Sequence, residues 1–211
     1  MTDQVRNPFF ARLYTRMTRD EKPEQIEHRR KTLAGLRGRV VEIGAGNGAN
    51  FAHYPSTVDE VVAVEPEPTM REGAQEAAAA APVRVEVVDA LGDALPYEDA
   101  SFDAAVACLV LCSVPDQARV LAELHRVVRP GGELRFYEHV HAHRQPMRAA
   151  LEVADRSTLW PRMLGGCHPT RETGAAIAAA GFRIEDCRRF GFAPTRLAPP
   201  LPHILGTARR P

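Results

Sequence analysis

The apolar positions of the chain change period along its length, and each change marks an element. Residues 40–43 contain Val40, Val41 and Ile43, a β-branched run that reads as a buried strand. The run enters Gly44-Ala-Gly-Asn-Gly48, and apolar residues resume at Ala49, Phe51 and Ala52, which predicts strand, glycine turn, helix. Short apolar runs recur at 60–65, 83–88, 104–108 and 134–137, and 182–188 with 202–208 read as a closing hairpin. Helical spacing fills the gaps. A helix is expected from Pro66 through the Ala-rich tract to Ala81, with Glu67 an ordinary first-turn charge. Another is capped by Asp116 and runs to Val128; a third spans 170–180, capped by Thr170 and stopped by Gly181. Residues 145–166 read as helical with a Trp160-Pro break. Ahead of the glycine turn, 8–18 carry Phe9, Phe10, Leu13, Tyr14 and Met17 at helical spacing, and 22–36 form a more charged helix.

Strands alternating with helices predict an α/β fold. The expected form is a Rossmann-like, seven-stranded, mostly parallel sheet with helices on both faces and the last strand antiparallel. Residues 1–36 add N-terminal helices as a cap or lid. With 211 residues and 45% hydrophobic content, one domain over 1–211 is expected. Basic and acidic side chains balance at 27 each, so no bulk field recruits nucleic acid. No run of 18 apolar residues occurs and the start is polar, so neither a membrane span nor a signal peptide is expected. The 4 cysteines lack metal spacing and read as free thiols of a reducing, cytoplasmic compartment.

The glycine turn carries the first chemistry. Glu42 stands two residues before Gly44, where a diphosphate ligand would be repelled by a carboxylate and a ligand with an ammonium and a sulfonium would be favoured. S-adenosylmethionine (SAM) has that chemistry. About 20 residues beyond the loop, Glu65 ends the second strand, where an acid bonds ribose hydroxyls. Asp89, with Asp93 as competitor, follows the third strand and offers an acceptor to an adenine amine.

The glycine motif, Leu95-Pro-Tyr-Glu-Asp-Ala-Ser-Phe-Asp103 and Arg129-Pro-Gly-Gly132 together resemble the class I SAM-dependent methyltransferases. Within that class, Cys108-Leu-Val-Leu-Cys-Ser-Val114, Tyr137-Glu-His-Val140, Gly166-Cys167 with Thr170-Arg-Glu172, and Pro202-His-Ile-x-Gly206 are similar to the thiol S-methyltransferases of the methyltransferase-like group. The likeness covers about residues 38–208. It departs at the polar start, where mammalian members carry a membrane anchor, and between Ala142 and Gly165. The resemblance implies SAM as methyl donor, giving S-adenosylhomocysteine. It assigns cofactor contacts to Glu42, Gly44, Ala45, Gly46, Asn47, Glu65, Pro66, Met70, Asp89, Ala90, Leu91, Cys108 and Leu109. It further implies a small-molecule acceptor, a thiol first, or a nitrogen or oxygen of a metabolite, natural product or phospholipid headgroup. A monomer or weak homodimer is expected.

Methyl transfer from a sulfonium needs in-line alignment and a nucleophile that sheds its proton. His139, just past the fifth strand, is the expected base, with His168 and His203 as second choices. Phe10, Tyr14 and Trp160 suit an apolar acceptor wall. Cys112 reads as a small core residue or a nucleophile. Arg171 suits a substrate carboxylate, or an ion pair with Glu172 or Glu138. His139-x-His141-x-His143 has no acid or thiol following at ligand spacing, so no metal is expected.

Overall fold

The computed structural model describes residues 7–19, 21–157, 159–193 and 199–211. Its first strand, β1 (Gly38–Ile43), lies inside a seven-stranded sheet of order β3-β2-β1-β4-β5-β7-β6. β2 (Val58–Val64) and β4 (Phe102–Cys108) flank β1 in parallel; β3 (Arg84–Val88) lies beyond β2, and β5 (Val128–His139) beyond β4. β7 (Leu201–Arg209) runs antiparallel between β5 and β6 (Arg183–Phe192). Six strands therefore share a direction and the last is reversed, as the sequence predicts. Strand order reverses between β1 and β4, and the crevice at such a switch point is where open α/β sheets hold ligands.

Two apolar layers sandwich the sheet, because alternate residues of each strand face opposite ways. Val41, Ile43, Val62, Val64 and Phe136 meet Leu121 and Leu124 of α4 (Gln117–Val127) and Ile177 of α7 (Thr173–Ala179). Val40, Val61, Ala63 and Tyr137 face Leu33 of α2 (Pro23–Leu33) and Ala74 of α3 (Pro68–Ala79). Asp116 caps α4 as expected, accepting from the Arg119 amide. The 145–166 region divides into α5 (Met147–Arg156) and α6 (Leu159–Met163).

Four local expectations are corrected. After the glycine turn there is no α-helix, only the 3₁₀ turn Phe51–His53. Tyr54 precedes Pro55 and takes the extended conformation that position favours, ψ 133°. α2 stops at Leu33 rather than Leu36, with Gly35 turning the chain at φ 77°. α7 starts at Thr173, because the Thr170 hydroxyl donates to Asp155 instead of capping. Arg129 to Gly132 form a bulge within β5, between the pairs Phe102–Val128 and Ala104–Glu133.

α1 (Pro8–Arg19) and α2 are tied to the sheet's ligand edge by one buried guanidinium. Arg29 is 2% exposed; it donates to both Glu21 oxygens and, at 2.8 Å, to Asn50 Oδ1. Removing one partner of such a pair leaves an uncompensated buried charge. Arg29→Ala is expected to cost about 3–5 kcal/mol, read as a lowered urea midpoint; a loss under about 1 kcal/mol, the size of a surface pair, would show that the pair is not holding the cap.

Candidate active site

At the carboxyl end of β1, Gly44 and Gly46 take φ 58° and 59°, values that L side chains resist. Their missing side chains also make room. A Cβ on Gly44 would lie 2.2 Å from Val110 Cγ2, and one on Gly46 would lie 3.1 Å from Tyr14 Cε1. The loop after β4 and helix α1 thus close on the same glycine backbone. Asn47 Nδ2 adds a 2.7 Å bond to Thr18 Oγ1, while its buried Oδ1 has no partner among the described residues.

Three buried carboxylates shape this edge. Glu65 accepts from the Gly46 amide at 2.8 Å and the Glu67 amide at 2.9 Å, so it fixes the glycine turn from the end of β2. Glu42 lies beneath the turn, accepting from Asn50 Nδ2 at 2.7 Å and Tyr54 Oη at 2.6 Å. Burial pushes its carboxyl up to about 7 despite both bonds. Glu138 accepts from the amides of Val110 (3.0 Å), Leu111 (2.9 Å) and Cys112 (3.2 Å) and holds the loop after β4, whose first residue, Leu109, sits at φ 58°.

Other expected donor-side residues gather here. Arg71 donates to the carbonyls of Glu65 and Pro66 and pairs with Asp89 at 3.0 Å, leaving Asp89 half-exposed beyond β3. Glu67 is a buried helix cap accepting from Met70 N at 2.8 Å, not an ordinary surface charge. Ala90 packs at the core margin and Leu91 O accepts from Ala94 N. Burial pushes the Cys108 thiol up to about 12.

The expected acceptor residues are only partly assembled. His139 Nδ1 lies 3.8 Å from Cys112 Sγ and 3.7 Å from Cys167 Sγ, and its ring packs on His203 at 4.3 Å. The Cys167 sulfur and burial push the Cys112 thiol up, with His139 pulling it back down, and the upward effects prevail. On the imidazole, burial acts downward and contact with Cys112, then Glu138, acts upward to a net rise. Because Cys112 holds its proton at neutrality, the lift that a Cys112 anion gives His139 is not in force there. Burial, then the neighbouring His139, lower His203 to about 3, so it is a neutral packing group. His168 pairs with Asp155 at 2.6 Å, away from His139. Arg171 makes neither expected ion pair among the described residues; it donates to Leu111 O at 2.6 Å. Phe10 lies against Gly165. Trp160 lines a hollow of about 250 Å³ with Ala154, Ser157, Met163 and Leu164, and none of the other expected acceptor residues borders it. His141 and His143 lie beyond β5, His141 being bound by Glu172 and Glu152. Sequence reasoning left Glu138 as an ion-pair partner and did not join Cys167 to His139. Its one signal was that Glu138-His139 ends a strand.

A family model described as methyltransferase domain matches residues 41–136. The mouse thiol S-methyltransferase TMT1B is 37% identical over 94% of this chain and 81% of its own length. The chain belongs to the class I SAM-dependent methyltransferases, as a relative of the thiol S-methyltransferases. Human TMT1A is 33% identical, over 94% of this methyltransferase and 82% of its own length. A solved geranyl diphosphate methyltransferase in complex with SAM superposes with TM-score 0.67, at 16% identity over 89% of this chain and 85% of that one, a likeness of fold. SAM is the methyl donor of the class. The positive-φ glycine turn at Gly44–Gly46 and the buried Glu65 that fixes it fit that cofactor, with a carboxylate where ribose hydroxyls need an acceptor. Among the described residues no helix is long and apolar enough to cross a membrane.

Two outcomes test this fit. Glu65→Ala is expected to weaken SAM binding by about 1–3 kcal/mol in calorimetric titration; unchanged affinity would remove Glu65 from the site. Glu42 is the second handle. Its folded carboxyl, near 7, binds a proton more tightly than the unfolded one near 4.5, so stability is lost as pH rises through that window. The wild-type protein should lose about 2–3 kcal/mol more than Glu42→Gln between pH 5 and pH 8, measured by urea unfolding without SAM. Parallel pH profiles for the two proteins would refute the displaced carboxyl.

Proposed function

We propose that this methyltransferase transfers the SAM methyl group to a small, partly apolar thiol. The observation that carries the reading is the extent of the likeness: identity to thiol S-methyltransferases spans 94% of the chain, well past the donor half matched by the family model. The chemistry is compatible with the site. SAM supplies an electrophilic methyl whose leaving group departs neutral, so the protein's tasks are alignment, exclusion of water and release of the acceptor's proton. Glu42, Gly44, Ala45, Gly46 and Asn47 would hold the methionine end, with Glu65, Pro66 and Met70 at the ribose. Asp89 to Leu91 would meet the adenine, and Cys108 and Leu109 the reacting end. The acceptor would lie between that loop and His139, where its proton is lost.

Residues 1–36 act as a cap in this reading, supported by Tyr14 over Gly46 and Thr18 on Asn47. One domain serves both ends of the reaction, as a monomer or weak homodimer acting on a dissolved cytoplasmic metabolite. The balance of 27 acidic and 27 basic residues supports a partner other than nucleic acid.

A panel of alkyl thiols, amines and phenols with methyl-labelled SAM tests the acceptor atom. Label is expected in thiols at a kcat/KM at least about tenfold above any amine or phenol, a preference of about 1.4 kcal/mol. Label in amines, phenols or phospholipid headgroups with none in thiols would transfer the reading to nitrogen or oxygen.

A further inference from the structure

We propose that Cys112, His139 and Cys167 form a three-ligand site for a soft cation of the zinc class, with its fourth position open to the acceptor thiol. Three separate segments meet there: the loop after β4, the end of β5, and the loop after α6. The two sulfurs lie 3.8 and 3.7 Å from one and the same imidazole nitrogen, Nδ1, and all three ligand atoms fall within 4.8 Å of one another. Tetrahedral zinc, with bonds of about 2.3 Å to sulfur and about 2.0–2.1 Å to nitrogen, has sulfur–nitrogen edges of roughly 3.5–3.6 Å. An ion can therefore be seated by side-chain shifts of a few tenths of an ångström. Two thiolates and an imidazole select zinc or copper(I) over magnesium or calcium. Three protein ligands and a free position are the composition of a reactive zinc site rather than a closed structural one.

The backbone brings the ligands together by specific means. Gly166 sits at φ 85°, and a Cβ there would lie 2.8 Å from Ser113 O, so only glycine lets the 165–167 loop approach Cys112 this closely. The His168 amide donates to Cys112 O at 2.8 Å, joining the two thiol-bearing segments directly. Glu138 spends its carboxylate on three amides and is not a ligand. The second group of metal-ligating residues, His141, His143 and Glu172, lies toward the surface, with His141 already bound by Glu172 and Glu152, and has no sulfur.

The open position rests on the thiol reading above. An acceptor thiol bound there gives its proton to solvent, since a thiol coordinated to such an ion is deprotonated. Its lone pair then forms the new sulfur–methyl bond as the sulfonium carbon–sulfur bond breaks, yielding a thioether and neutral S-adenosylhomocysteine. His139 is a ligand in this scheme, so the base expected from sequence is replaced by the ion.

Cobalt(II) titration of the chelator-treated, full-length protein tests the site without any assay of turnover. One equivalent is expected to bind, with intense thiolate-to-cobalt absorption and tetrahedral d–d bands, and zinc should abolish both. Cys112→Ser and Cys167→Ser should each weaken cobalt binding by more than the roughly 10–100-fold that loss of an outer partner costs, while circular dichroism and SAM affinity stay unchanged. Absence of thiolate bands, or bands that survive in both variants, would overturn the site and leave two thiols hydrogen-bonded to an imidazole; the acceptor panel would still decide thiol methylation by itself. A small alkyl thiol should shift the d–d bands of the cobalt protein. Bands that form but ignore added thiol would overturn the open position.

Discussion

Parallel strands end by delivering their loops to one edge with backbone amides that no neighbouring strand can satisfy, and here buried carboxylates accept them. Glu65 takes the amides of Gly46 and Glu67, and Glu138 takes those of Val110, Leu111 and Cys112. An unpaired buried amide costs about 1–3 kcal/mol, so each carboxylate fixes its loop to within hydrogen-bonding tolerance. The two clamps stand on either side of the β1/β4 switch point. Between them they set the glycine turn and the loop after β4 at a fixed separation, and Glu42 braces the turn from below through Asn50 and Tyr54. Burial pushes all three carboxyls upward. The stability lost in burying acids is the counterpart of a preorganised site.

The donor half was legible because its chemistry is local. Gly44, Gly46 and Glu42 lie within a few residues of one strand, and Glu65 is fixed by the length of a single strand–turn–strand unit. The central strands β1, β2 and β4 were located by apolar runs, since parallel strands buried on both faces are nearly continuous apolar stretches. What misled at this edge was also local: Phe51 and Ala52 carry helical spacing, but Pro55 imposes an extended residue before it, and Tyr54 is drawn down to Glu42. Thr170 had the residue type of a cap and a nearby helix, yet Asp155, fifteen positions earlier, competes for its hydroxyl.

The acceptor half was legible only in part. His139 could be placed at a strand end, but what its ring touches depends on loops joined through tertiary contacts. Cys112 and Cys167 are separated by one strand and three helices, and no spacing rule relates them. Arg171 shows the same limit: its charge suggested an ionic partner, and the fold presents it with the Leu111 carbonyl instead. The segment from Ala142 to Gly165, where the resemblance is poorest, builds α5 and α6, the walls of the Trp160 hollow.

The placement of β7 has a consequence for the order in which the protein can be completed. β7 follows β6 in the chain but lies between β5 and β6, and pairs with both along most of its length. During synthesis from the N-terminus, β1 to β5 can assemble as they emerge, whereas the outer edge of β5 stays bare until residues 201–209 arrive. His203 pairs with His139 in that register, and their rings pack together. The glycine turn and its carboxylates can thus be in place before β7 emerges, and the His139 edge of the sheet is finished only when residues 201–209 arrive. A nascent chain arrested before β7 would carry the glycine turn without the strand that packs His203 against His139.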